Sequence, residues 1–353
     1  MELLMPPRRR CLAWFVAAVL VGAVASSGGA QVPRALWEDR LVKAPAVAPV
    51  ISGDTLWVVG TDRKIQSHDA RTGDRHWRRT LSAHVALPVS PGPDDLLLAL
   101  GIPEPAIVRL DRSDGREIWS ERMPRTPVGI ARGESLVFVA AGDRVEAHRL
   151  EDGSPRWVRD LRVPLTGLAV AGSSLVVLGR HDSLWCLESA GGGNLWVEPV
   201  EGTHPSPPVR ADTLILRLTY EGRLVRHDLE TGILVDRTRV ARLQIRPPAV
   251  AMGQIATAAV GGAVEIFDFP SLQRQWIDRR QDTIAAGASA WAGWWIVPTL
   301  TGRVFAITRD RGVTAWSLTF QEPLSLPPAT TPDLLGLIND RGRIVVYTLE
   351  ESM

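Results

Sequence analysis

The chain has 353 residues, with 40 Lys and Arg against 39 Asp and Glu, for a formal net charge of +1. That balance excludes the basic stripe of a nucleic-acid binder. Past the N-terminus it also excludes a polybasic run docking on anionic lipid, so membrane association is expected to be peripheral at most.

The first thirty residues read as a targeting segment. Arg8, Arg9 and Arg10 form a charged start, Leu12 to Ala25 an apolar core, and small residues follow. Residues 1–30 are therefore expected to be a signal peptide, cut after Ala25 or after Ala30. The apolar core is shorter than the roughly 20 residues a spanning helix needs; retention as an anchor is the alternative reading. Cys11 precedes the apolar core instead of following it, so no lipidation cysteine is in place. The expected location is the periplasm or the exterior. Beyond Cys11 the only cysteine is Cys186, in the run Leu184-Trp185-Cys186-Leu187. It cannot form an intrachain disulfide and is expected to pack as a buried thiol.

Residues 31–353 read as one repetitive domain. Trp37, Trp77, Trp119, Trp157, Trp196, Trp276 and Trp316 follow one another at spacings of 40, 42, 38, 39, 80 and 40. Asp236 stands at the midpoint of the doubled gap, so the period survives the loss of one Trp. Short apolar runs begin at Leu56, Leu96, Leu136, Leu175, Leu214, Ile255, Trp295 and Leu334, in phase with these anchors. Runs of this length, rich in Leu and Val, fit strands covered on both faces. Before each run lies a segment marked by Pro49, Pro208, Pro248, Ala288 or Pro328, read as an innermost strand. After it come a glycine turn, a third strand, a second turn and the anchor, as in SHDARTGDRHW (67–77), RLDRSDGREIW (109–119) and AHRLEDGSPRW (147–157). A Gly recurs four residues before the anchor at 73, 115, 153, 192, 232 and 312.

Four strands per forty residues, stacked in a ring, define an all-β propeller. The last unit ends after three strands, and RALWEDRLV (34–42) at the other end is an orphan fourth strand with its own anchor. Pairing the two gives eight four-stranded antiparallel blades closed by the N-terminal strand, removing exposed edges. Seven blades and a loose strand is the competing count. The anchor Trp residues are read as structural, wedged between blades with the indole N–H reaching a backbone carbonyl.

The units SHDARTGDRHW, RLDRSDGREIW and the degenerate RHDLETGILVD (226–236) resemble the pyrroloquinoline-quinone-like (PQQ-like) repeat of eight-bladed propellers. One branch of that superfamily holds quinoprotein dehydrogenases. The other holds periplasmic scaffolds similar to BamB, a propeller subunit of the outer-membrane β-barrel assembly machinery, and the length matches this second branch. The resemblance implies a non-catalytic, protein-binding scaffold of the cell envelope assisting outer-membrane protein assembly. Its partner would be an envelope protein such as the barrel-assembly subunit. The alternative is a PQQ-dependent oxidoreductase. The missing lipidation cysteine departs from the usual pattern of BamB members.

The residues themselves favour binding over chemistry. A long-type quinoprotein needs a divalent cation and, in many members, a vicinal disulfide, whereas the chain after the expected signal peptide offers only Asn194, Asn339 and the single Cys186 for such roles. HExxH, CxxC, P-loop and GxSxG patterns are absent from the sequence, and no catalytic, metal or cofactor residue is expected. His68-Asp69 and His227-Asp228 sit at equivalent repeat positions, which suits a hydrogen bond closing the strand-to-turn corner. Loops before the innermost strands are the most irregular, and loops on a rigid scaffold carry function. Among them EGTHPSPPV (201–209) and RTRVARLQIRPP (237–248) supply the expected partner-binding rim: His204, Arg239, Arg242 and Arg246.

Overall fold

The structure is a computed structural model that describes residues 32–181 and 183–349. The expected signal peptide lies outside the described residues. Thirty-two strands form eight separate four-stranded antiparallel sheets arranged as a ring. We number the blades in chain order: blade 1 (50–80), blade 2 (90–122), blade 3 (127–160), blade 4 (165–199), blade 5 (209–239), blade 6 (249–279) and blade 7 (289–319). Blade 8 joins 329–349 to 33–40.

Local sequence explains each position in a blade. Innermost strands such as Val50–Ser52, Val209–Ala211 and Ala249–Ala251 start one residue after a proline. Proline has no N–H for the ladder and so marks the strand's start. Second strands such as Asp95–Leu100 and Leu136–Ala141 are buried almost throughout, because both faces of a blade are covered by neighbouring blades. Third strands keep a buried centre, as in Lys64–Asp69 and Ser183–Glu188. Outermost strands carry the charge: Arg75–Thr80 and Glu117–Arg122 bury only their Trp, and Arg274–Arg279 half-buries its Trp with Ile277 and Asp278. Charged outer edges discourage edge-to-edge pairing with other chains.

Blade 8 closes the ring. Pro33–Arg40 pairs antiparallel with Arg343–Leu349, from Pro33 opposite Leu349 to Arg40 opposite Arg343. Its register slips between Ala35 and Trp37, one residue before the anchor. The other seven outermost strands slip at the equivalent place, for instance between Ser67 and His68 opposite Trp77. A bulge there re-aims the following side chain. The N-terminal strand thus has the full character of an outermost strand. Bidentate pairing of Arg343 with Glu38, at 2.7 and 2.8 Å, reinforces the seam.

The anchors join blade to blade. The indole N–H groups of Trp37, Trp77, Trp119, Trp157, Trp196 and Trp276 donate to the carbonyls of Ala70, Arg112, Leu150, Ser189, Leu229 and Arg309, at 2.8–3.0 Å. Every acceptor lies in the next blade, at the turn before its outermost strand. The repeated glycine of that turn lies under the ring. A Cβ on Gly115 would stand 2.6 Å from the Trp77 ring, and the φ of +73° there also favours glycine. Each glycine therefore serves the Trp of the preceding unit, not the one four residues ahead.

The exception obeys the same rule. Asp236 replaces Trp in blade 5 and forms a two-pronged pair with Arg226, at 2.6 and 2.5 Å. The turn residue that would lie beneath the missing ring is Leu272, which keeps the positive φ of 54°. With no indole to clear, a side chain fits. Trp316 departs differently: it faces the seam of blade 8, where two chain ends meet instead of a turn. It is 1% exposed and packs edge-on to Trp291 and Trp294; its N–H has no partner among the described residues.

Candidate functional site

Strand direction alternates within a blade, so loops entering the innermost strands and turns joining second to third strands share one rim. Backbone bonds knit them together: Thr61 N–H to Ala44 O, Tyr220 N–H to Thr203 O and Leu243 N–H to Tyr220 O. All four rim residues expected from sequence fall at this end of the ring, but in three different environments.

Arg239 ends the outermost strand of blade 5, and Arg242 lies in the following loop; both are exposed. Between Arg242 and Arg246 the loop also exposes Leu243 and Ile245, at 39% and 37%. Gln244 turns inward, fully buried, and its side-chain N–H donates to Ala241 O at 3.0 Å. The outer surface of this loop is therefore cationic and apolar together.

Arg246 is not a free rim cation. Its Nε–H donates to Ala285 O at 2.9 Å and its Nη2–H to Ser325 O at 3.2 Å, tying the blade 6 entry loop to those of blades 7 and 8. Burial draws its pKa below the ordinary arginine value.

His204 corrects the expectation more strongly, because its side chain is 1% exposed and cannot present itself on the rim. Its backbone N–H donates to Arg180 O at 2.9 Å, and the ring lies inward. There Nδ1 lies 3.5 Å from Leu218 O and Nε2 lies 3.4 Å from Arg217 Nη1. Burial first, then the Arg217 charge, pushes its pKa down to about 4.

This shift predicts acid sensitivity. The folded pKa lies below the unfolded value of 6.5, so the unfolded chain binds the proton first as pH falls. The stability contributed by neutral His204 is full above pH 6.5 and is lost as pH drops towards 4, amounting to about 3 kcal/mol. His68 and His227, also lowered mainly by burial, add loss in the same direction. Urea titrations between pH 7 and pH 4 should show a smaller loss in His204→Gln than in the unaltered chain; equal losses would refute the assignment.

Sequence reasoning missed Arg217. It sits at the fourth position of Leu214–Thr219, inside an apolar run, and is only 5% exposed. Its Nε–H donates to His227 Nε2 at 3.1 Å and its Nη1–H to Glu201 O at 3.2 Å. His227 Nδ1 is paired with Gly232 O at 2.9 Å, and the same corner bond joins His68 to Gly73 and His148 to Gly153. The histidine is thus part of the repeat's turn, and blade 5 adds an arginine to its free nitrogen.

Cys186 is buried, and burial raises its thiol pKa, which disfavours the reactive thiolate. Among the described residues no three His, Cys, Asp or Glu side chains converge where a cation could sit.

Eight four-stranded blades, seven of them with a Trp beside a bulge on the outermost strand, place the chain among the eight-bladed propellers of PQQ-like repeats. The chain belongs to the family described as outer membrane protein assembly factor BamB, whose model matches residues 21–137 and 142–326. BamB of Burkholderia pseudomallei is 26% identical over 206 residues, covering 52% of this chain and 53% of that protein. BamB of Alkalilimnicola ehrlichii is 29% identical over 168 residues, covering 42% of each. The chain spans about half the length of the curated relatives it matches. Among solved structures, BamB from Moraxella catarrhalis superposes with a TM-score of 0.75 at 13% identity, covering 90% of this chain and all of that one. A quinohemoprotein alcohol dehydrogenase from Pseudomonas putida HK5 gives 0.73 at 10% identity, covering 91% of this chain and 77% of that one. Both likenesses speak to the fold.

Proposed function

We propose that the chain is a non-catalytic scaffold of the bacterial envelope that assists outer-membrane protein assembly by binding a protein partner through the rim at 239–246. Family membership supports the assembly role. The observation that carries the binding surface is the joint exposure of Arg239, Arg242, Leu243 and Ile245 on one loop of a rigid ring. Apolar side chains among arginines suit a protein interface, where Arg is enriched and apolar contacts supply the buried centre. The partner is the periplasmic part of the barrel-assembly subunit, and the chain works in the periplasm as a soluble or peripherally attached protein. Binding measured between the two purified proteins tests this directly. Saturable association supports the reading, and its absence at micromolar concentrations overturns it.

A further inference from the structure

The second strands of the blades are in register with one another, so Arg217 can be compared with its seven counterparts. They are Val58, Leu98, Val139, Val177, Thr257, Val297 and Leu337. Seven blades place an uncharged residue there, and one buries a guanidinium. A local break in an otherwise consistent pattern marks a site that serves something besides the fold.

Among the described residues, the buried Asp95, Arg226 and Glu265 each have a partner of opposite charge, and Glu146 has a histidine. Asp95 meets Arg109 and Arg132, Glu146 meets His148, Arg226 meets Asp236, and Glu265 meets Arg274. Arg217 has no carboxylate within salt-bridge distance. Its bonds go to a carbonyl and to imidazole nitrogens that burial keeps neutral. A buried cation with no anion in contact is costly; burial lowers the Arg217 pKa to about 10, and the nearby Glu201 carboxylate opposes that shift from beyond salt-bridge distance.

The charge is not sealed in. Arg217 lines a cleft of about 140 Å³ between blades 4 and 5, whose walls also carry Arg223, Arg237, Glu198 and Glu201. Glu201, with its side chain 80% exposed, holds its carboxylate 3.3 Å from Arg223 and 3.6 Å from Arg237. The protein's own loop therefore already sets a carboxylate against the two outer arginines, short of the inner one. The volume suits one oxyanion group and not a whole cofactor.

We infer that this cleft binds an oxyanion, a phosphate group or a carboxylate, which enters past Glu201 and pairs with Arg217 while Arg223 and Arg237 hold it at the mouth. Guanidinium donors pair well with either group; because Arg217 already donates from Nε and Nη1 within the protein, it would meet the oxyanion through Nη2. The site is distinct from the 239–246 loop surface and stands whether or not that surface binds a partner.

The test is the Arg217 Nε–H resonance of the full ¹⁵N-labelled chain, assigned by its loss in Arg217→Met or, if that variant does not fold, by its coupling to the His227 ring. The chain is titrated separately with inorganic phosphate and with acetate, chloride holding ionic strength constant. A saturable shift with phosphate alone identifies a phosphate-group site, and one with acetate identifies a carboxylate site. In Arg223→Gln/Arg237→Gln, whose altered side chains are exposed, affinity should fall about tenfold, as expected for losing two rim cations. No saturable shift with either anion, or equal affinity in the double variant, overturns the proposal.

Discussion

A chain begun at Val50 should lose the ring. It lacks Pro33–Arg40, and with it the whole outer edge of blade 8. Three losses follow together. Arg343–Leu349 becomes an unpaired edge, which invites pairing with another chain. The Trp37 indole no longer bonds Ala70 O or covers Gly73, so blades 8 and 1 lose their anchor. Glu38 no longer pairs with Arg343. Removing a single packed Trp costs about 3–5 kcal/mol in a core, a sizeable share of the roughly 5–15 kcal/mol that holds a typical domain folded. The truncated chain should aggregate or melt well below the full chain in light-scattering and thermal unfolding experiments. A truncated chain that stays monomeric with an unchanged melting midpoint would contradict closure by the N-terminal strand.

The second large effect lies between blades 1 and 2. Gly115→Ala places a Cβ against the Trp77 ring at a φ that an L side chain adopts only with strain. Overpacking costs about 1–3 kcal/mol and the left-handed backbone about 1–2 kcal/mol more. In a Trp77→Ala background, itself about 3–5 kcal/mol less stable, the overpacking part should vanish, leaving only the backbone cost. The double-mutant cycle should then show a coupling of about 1–3 kcal/mol. Asp236 with Leu272 is the counterpart of this double change, already present between blades 5 and 6. Equal costs of Gly115→Ala in both backgrounds would show that ring and glycine are independent.

The fold was legible because a forty-residue period repeats the same packing problem eight times. Trp spacing located the outermost strands, apolar runs the second strands, and the unmatched ends the seam. The partner of each glycine was not legible, since same-unit spacing and next-blade contact give the same list of positions.

Rim residues were harder to read. His204 stands forty residues apart from Gln244, Ile284 and Leu324 in turn, and all four are buried. The apolar residues at 284 and 324 signal an inward position that the Pro- and Ser-rich loop composition hides. Arg246 looked like its neighbours Arg239 and Arg242. Its carbonyl acceptors lie 39 and 79 residues further on, a proximity that only the curvature of the ring creates. Arg217 was hidden by the strength of the apolar run around it. The signal was the same period, which sets Thr257, Val297 and Leu337 at its counterpart positions.

The rim assignment is tested most directly by the association rate of Arg239→Glu/Arg242→Glu with the purified periplasmic part of the barrel-assembly subunit. Arg246 is left unaltered because it holds neighbouring loops together. Substitution of exposed residues costs under about 0.5 kcal/mol each, so the fold should be retained. At low salt the variant should associate at least about tenfold more slowly and lose most of the salt dependence, because rim charges act through encounter. An association rate and salt dependence equal to those of the unaltered chain would contradict the placement of the partner on this rim.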